Sequence, residues 1–213
     1  MDIMETIIRP YEEKDFMEML KVTMELWDLK MKPYTKKGID INTSIIIDTG
    51  TIPRRINEGV IVAESEGHIA GVAHLDYLGK RVGKADKLCV FKLIKKYGFI
   101  RLLKVRQMGL FFEHKIKVDE LHIHGIVVSS RFQNMGIGSK LFKEIENIAE
   151  KKNLKNITLE VLDSNILAYN LYKRLGFIDV SKSVFSKQQQ QYFKSNSHIY
   201  MMKILDENNK NRE

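Results

Sequence analysis

Apolar positions change their spacing several times along the chain, and each change marks an element. Thr6 to Arg9 is a short apolar run closed by Pro10, which predicts a first strand. From Asp15, the residues Phe16, Met19, Leu20, Thr23 and Trp27 recur at helical spacing, so a helix is expected to start at Asp15 and to break before Pro33. A second helix is expected over about Asn42 to Asp48. Gly59 to Glu64 and Ile69 to Leu78 read as two strands joined by a turn at Glu66-Gly67. Lys87 to Glu113 is basic and amphipathic, one or two helices. Leu121 to Val128 reads as a strand. Gly136 to Lys152 reads as an amphipathic helix with Ile137, Leu141, Ile145, Ile148 and Ala149 on one face. Ile157 to Val161 is a strand, and Asn165 to Arg174 a helix stopped by Gly176. Phe177 to Phe185 and His198 to Leu205 close the pattern as strands. Between them Gln188 to Gln191 reads as a polar low-complexity loop, and Asp206 to Glu213 as a disordered tail.

Composition narrows this picture. The single cysteine, Cys89, excludes an internal disulfide and a cysteine metal cluster. The N-terminal residues carry Asp2 and Glu5 and lack a leader's apolar core, and no apolar run approaches the ~18 residues of a membrane span. A soluble, cytoplasmic protein is the expectation. The net charge of +8 is concentrated: Lys80 to Lys117 holds 12 Lys/Arg against Asp86 and Glu113, a net +10, so the rest sums to −2. With no extended basic footprint elsewhere, nucleic acid is not the expected partner.

The segment Leu121 to Gly138, LHIHGIVVSSRFQNMGIG, carries the chemistry. An apolar strand runs into a turn with two glycines, and a helix follows. Glycine permits unusual φ and close approach to the backbone. Amide groups at a helix start, with the helix dipole, favour an anion. The backbone of Gln133, Asn134, Met135, Gly136, Ile137, Gly138 and Ser139 is therefore a candidate phosphate cradle. It is not a P-loop, which needs G-K-[ST], nor a G-x-G-x-x-G loop, since Leu141 stands three after Gly138.

Gln133-x-x-Gly136-x-Gly138 resembles the Q/R-x-x-G-x-G/A pyrophosphate loop of the GNAT acetyltransferases. Asn165-x-x-Ala168-x-x-Leu171-Tyr172-x-x-x-Gly176-Phe177 resembles that superfamily's second signature, N-x-x-A-x-x-L-Y-x-x-x-G-F. The resemblance covers about Leu121 to Phe177, is topological only for Thr6 to Leu78 and the last strands, and does not account for Lys80 to Lys117. It implies an α/β (α+β) GNAT fold: a mixed, mostly antiparallel sheet with splayed fourth and fifth strands, flanked by helices. The basic helical insertion at 80–117 would fall between the third and fourth strands of one domain, 1–205. It also implies acetyl-CoA as cosubstrate, with its pantetheine arm on the backbone of Ile126, Val127 and Val128, as a strand adds to a sheet edge. The pyrophosphate would sit on Gln133 to Ser139, and Asn165, Ala168 and Tyr172 would line the cofactor arm.

Acetyl transfer to an amine needs a base for the amine proton, an N–H for the oxyanion and a donor for the leaving thiolate. A strand N–H near Val128 suits the oxyanion. By family pattern Tyr172 donates the proton to sulfur. Three residues compete as base. Glu160, in Leu-Glu-Val before S-N, resembles the base of ribosomal-protein N-terminal acetyltransferases. His122 and His124 alternate on one strand face and resemble the paired histidines of arylalkylamine N-acetyltransferases. His122 also falls where histone-type members keep a catalytic glutamate. No metal is expected, since no third ligand is evident near the pair. The acceptor would be a primary amine, either a small molecule or a peptide N-terminus or lysine. Trp27, Tyr34 and the region around Ile45 would lie near the acceptor loops. The insertion reads as a hairpin burying Leu93, Ile94, Leu102, Leu103 and Phe111, as a lid or acidic-partner site, or as an anionic membrane contact. The rival function is a non-catalytic CoA-binding or basic nucleic-acid-binding adaptor on the same fold.

Overall fold

A computed structural model of the chain describes residues 5–31, 39–52, 54–56, 58–80, 90–103, 106 and 114–205. Strands β1 (Thr6–Pro10), β2 (Val60–Ser65), β3 (His68–Tyr77), β4 (Glu120–Val128), β5 (Asn156–Leu162), β6 (Ile178–Val184) and β7 (Ser197–Ile204) follow the order β1-β2-β3-β4-β5-β7-β6. The helices are α1 (Phe16–Met31), α2 (Ile39–Thr49), α3 (Val90–Tyr97), α4 (Ile137–Lys151), α5 (Ile166–Arg174) and α6 (Lys187–Phe193). The described residues group into two compact units, one within 1–73, 80–115 and 126–141, the other within 74–79, 116–125 and 142–213. Among the described residues no helix is long and apolar enough to cross a membrane.

In the first unit β1 pairs antiparallel with β2, from Thr6↔Ser65 to Pro10↔Ile61. Pro10 closes this edge strand, where a missing N–H costs no ladder bond. Arg9 then sets the entry to α1. Its guanidinium donates to both oxygens of buried Asp15, at 2.7 and 2.9 Å, and to Glu64 at 2.8 Å. Asp15 also accepts the Glu12 N–H at 2.8 Å. The helix expected to start at Asp15 is present: Glu13–Asp15 form a 3-10 turn that leads directly into α1 at Phe16. Asp15 serves as the ion-paired support of that turn.

The apolar faces of α1 and α2 close over the strands, with Met19, Leu20, Met24, Ile45 and Ile46 all fully buried. Ile45 is thus a core residue. Tyr97 of α3 joins this core and donates to Asp48 of α2 at 2.6 Å, and Lys96 donates to the same oxygen at 2.7 Å. The basic segment is helical at 90–97 and 99–103, on either side of Gly98. Leu93 and Leu102 pack against the core as expected, whereas Leu103, expected to be buried, is exposed. Residues 81–89, 104, 105 and 107–113 of that segment lie outside the described residues. So do Tyr34, the Trp27 side chain and the tail 206–213.

In the second unit β4 and β5 run parallel, from Glu120↔Asn156 to Ile123↔Leu159. The ladder stops there, although β4 runs on to Val128 and β5 to Leu162. β7 pairs antiparallel with all of β5, and β6 pairs antiparallel with β7. Alternation puts Leu121, Ile123, Ile157, Leu159 and Val161 into the core and sends Glu120, His122, Thr158 and Glu160 to the opposite face. The expected loop at Gln188–Gln191 is instead helix α6. Ser186 accepts the Gln189 N–H at 3.3 Å, and the Gln189 side chain accepts the Ser186 N–H at 2.8 Å. That reciprocal cap satisfies two donors at the helix start, and glutamine is a good helix former.

Candidate active site

The turn between β4 and α4 lies in the first unit and is held from below. The Ser129 N–H donates to Ala70 O of β3 at 2.9 Å. Glu25 of α1 accepts from Ser129 Oγ at 3.0 Å and from the Ser130 N–H at 2.9 Å. Phe132 is buried and pins the short 3-10 turn Ser130–Phe132. Gln133, Asn134, Met135 and Gly136 then stand exposed. Asn134 and Gly136 both have positive φ, 63° and 74°. This reverses the chain so that α4 starts at Ile137 and presents the first-turn amides of Ile137, Gly138 and Ser139.

The two glycines of the turn have different reasons to be there. Gly136 needs its left-handed backbone, and a Cβ there would meet nothing within 4 Å. Gly138 has no such φ, and its added Cβ would reach only Val128 Cγ2, at 4.0 Å. Nothing inside the first unit therefore requires Gly138 to lack a side chain, although glycine weakens a helix relative to alanine. Beneath the turn Gly71 of β3 is required by packing. A Cβ there would stand 3.1 Å from Leu141 Cδ1, 3.2 Å from Val127 O and 3.3 Å from Ile137 Cγ2. The sequence pass missed Gly71 and Glu25. An isolated glycine inside a strand pattern was the one available signal, since it often marks close backbone approach.

In the second unit β4 and β5 form a polar face. His122 and His124 come together as expected, rings edge to face with centroids 5.0 Å apart. His122 is buried, and its Nδ1 is 2.9 Å from Thr158 Oγ1. The Thr158 hydroxyl donates its one proton to Glu120 Oε1. Thr158 can then only accept from His122, so Nδ1 carries a proton. Glu120 is buried too; it accepts from Tyr200 OH at 2.8 Å and, through Oε2, from the Lys117 N–H at 2.7 Å. Burial, with Glu120 alongside, pushes the Tyr200 phenol up to about 12. His124 Nε2 lies 3.3 Å from Asp76 Oδ2.

Glu120 corrects one expectation. A ligand-type carboxylate does stand beside the histidine pair, two residues before His122 on the same strand face. Its oxygens accept from the Lys117 N–H and from the Thr158 and Tyr200 hydroxyls. Glu160, the other candidate base, lies on β5 and pairs with His198 Nδ1 at 3.3 Å. Glu120, Thr158, Tyr200, His198 and Asp76 were not singled out from the sequence.

Tyr172 sits on α5 of the same unit. Asn165 caps that helix, its Oδ1 accepting the Ala168 N–H at 3.3 Å. The Tyr172 ring packs against Phe142 and Phe177, with centroids at 5.7 and 5.9 Å. Burial pushes its phenol up to about 12, so it keeps its proton throughout the neutral range.

The model of the Acetyltransferase (GNAT) family matches residues 23–177. The chain belongs to the GNAT acetyltransferase family. Mouse thialysine N-epsilon-acetyltransferase is 36% identical over 63 residues, 30% of this chain and 37% of that protein. The Escherichia coli K12 ribosomal protein bS18-alanine N-acetyltransferase is 30% identical over 83 residues, 39% of this chain and 56% of that protein. The chain thus spans between about a third and somewhat over a half of the curated relatives it matches. A crystal structure of an acetyltransferase shares the fold with a TM-score of 0.58 at 21% identity, covering 94% of this chain and 100% of that one.

Proposed function

We propose that the chain is an N-acetyltransferase that moves the acetyl group of acetyl-CoA to a primary amine. The observation that carries this reading is the turn before α4. It offers a helix start whose first-turn amides have no partner within the helix, a left-handed Gly136 and a Gly138 that the fold itself does not need. An anion resting on those amides gives Gly138 a reason. Family membership supports reading that anion as the pyrophosphate of acetyl-CoA, which Gln133 to Ser139 would hold. The backbone of Ile126, Val127 and Val128 would take the pantetheine arm, and Asn165 and Ala168 would border it.

The chemistry uses groups of the second unit. The amine nitrogen bonds to the thioester carbonyl carbon, the C–S bond breaks, and an amide and free CoA thiol result. His122 suits the base, because Thr158 and Glu120 hold its Nδ1 side and orient the ring. His124, edge-on at 5.0 Å, would continue the proton's way out. Tyr172 holds the proton that the leaving sulfur needs. Glu160 is the second base reading; the curated relative that acts on the bS18 alanine favours it, through the Leu-Glu-Val resemblance. Both relatives act, by their names, on amines, which supports a primary amine acceptor, whether a small molecule or a peptide amino group.

Two measurements test the proposal. Saturating CoA should raise the melting temperature, since a ligand at 100 times its Kd adds about 2.7 kcal/mol. Thiol release from acetyl-CoA should then appear with at least one of arylalkylamines, polyamines, amino-sugars or peptide N-termini. No thermal shift with CoA or acetyl-CoA overturns the cofactor assignment. A shift without turnover on any acceptor favours the non-catalytic CoA-binding module.

A further inference from the structure

The two helical pieces on either side of Gly98, 90–97 and 99–103, carry two sets of apolar side chains. One faces inward: Leu93, Tyr97 and Leu102 pack on the core, and Tyr97 and Lys96 are tied to Asp48. The other faces water. Phe91 is 80% exposed and Ile100 70%, with Val90, Phe99 and Leu103 exposed beside them in sequence. Phe91 lies two residues before Leu93, about half a turn round the helix, so it points away from the core that Leu93 serves. Monomeric proteins seldom leave aromatic and aliphatic groups at this density in water. The charge on the segment has one sign. Lys92, Lys95, Lys96 and Arg101 stand among residues 90–103 with no Asp or Glu, and among the described residues Lys96 pairs with the Asp48 carboxylate.

We infer that this face docks on an anionic lipid surface. An interfacial helix buries aromatic and aliphatic side chains at the acyl boundary and keeps lysines at the phosphate level, and both elements are present here. A nucleic acid would use the cations, but its phosphates gain nothing from Val90, Ile100 and Leu103. A surface that is apolar just beneath its negative charge uses both. The docking face belongs to the first unit and needs no residue assigned to acetyl transfer, so the two readings stand or fall separately.

The test is co-sedimentation of the full chain with phosphatidylcholine vesicles, with and without phosphatidylglycerol. The chain should sediment with the anionic vesicles and remain in solution with the neutral ones, and added salt should release it. Phe91→Asp/Ile100→Asp should weaken vesicle binding at least about tenfold, the loss of two buried apolar groups. Its melting temperature and CoA-induced shift should be unchanged, because both side chains are exposed. Lys92→Glu/Lys95→Glu should remove the preference for phosphatidylglycerol. No sedimentation with anionic vesicles overturns the inference. So does binding that survives Phe91→Asp/Ile100→Asp, and so does a duplex oligonucleotide bound equally by that variant and the parent, which would assign the cations to nucleic acid.

Discussion

Replacing Tyr172 by Phe isolates the proposed proton donor. The ring keeps its contacts with Phe142 and Phe177 at 5.7 and 5.9 Å, and among the described residues the phenolic oxygen makes no hydrogen bond. Folding stability should therefore change by less than about 0.5 kcal/mol. The effect on catalysis follows from the phenol's position near 12. The acid is fully protonated at working pH, so no group has to be titrated before it acts. A phenol held above an ordinary thiol, however, gives its proton to that thiolate uphill. It becomes workable only where the leaving sulfur is desolvated too, which raises the thiolate's own proton affinity. Taking away such a donor should cost about 10²–10⁴ in rate, or about 3–5 kcal/mol of barrier. Single-turnover thiol release on the most active amine is the assay, because it separates chemistry from product release. CoA affinity should stay within about threefold, as the proposed role uses the hydroxyl at the sulfur and not for binding the phosphates. A Tyr172→Phe protein that turns over within about threefold of the parent would refute the donor role, whatever the fold.

Three further outcomes follow from particular contacts. Gly138→Ala should fold at least as well as the parent, gaining up to about 1 kcal/mol in helix propensity, while CoA affinity falls at least about tenfold by calorimetry; unchanged affinity removes the pyrophosphate from this turn. If His122 is the base, His122→Gln should lower kcat/KM far more than Glu160→Gln and remove its acid-side inflection, since only imidazole titrates in that range; the reverse ranking transfers the role to Glu160. Asp163 accepts from the Ser195 and Ser197 hydroxyls and the Asn196 N–H, and these bonds hold its carboxyl down at about 2, below an ordinary 3.8. A carboxyl depressed by folding lends stability above its unfolded value and loses it as pH falls through the folded one. Urea midpoints should accordingly decline between about pH 4 and pH 2 in the parent and less steeply in Asp163→Asn.

The elements with a strong local period were legible before any coordinates. β4, α4, β5 and α5 fall within a residue or two of their expected bounds, because one buried face sets each period. The failures are just as physical. Four glutamines in succession resembled a polar loop, yet the signal for a helix was local. Ser186 and Gln189 stand at capping-box spacing, and the box outweighs the composition. Asp15 was placed at the start of α1, but its ion pair with Arg9 across the turn has no local signal in the sequence. Gly138 was legible as a motif residue. That it is dispensable to the packing around it needed coordinates, because a missing Cβ has meaning only against its neighbours.

The acid–base groups divide along the same line. Period-two alternation was enough to put His122 and His124 on one face, since side chains of a strand repeat every second residue. What fixes the proton on His122 comes from another strand. The β4–β5 ladder pairs His122 with Thr158 and Glu120 with Asn156. In that register the Thr158 hydroxyl falls between the imidazole and the Glu120 carboxylate. A slip of one residue would set Ile157 or Leu159 opposite His122 and turn Thr158 to the other face. The imidazole would lose its acceptor, and Glu120 would be buried beside an apolar side chain at a cost of about 1–3 kcal/mol or more. The buried triad therefore resists mispairing as well as orienting the histidine. Its register is also enforced independently from the other side of β5, where β7 brings Tyr200 opposite Glu160 and its hydroxyl to Glu120 at 2.8 Å. The Nδ1 proton of His122 is thus a consequence of strand pairing on both flanks of β5, which is why a single strand's sequence could name the histidine but not its proton.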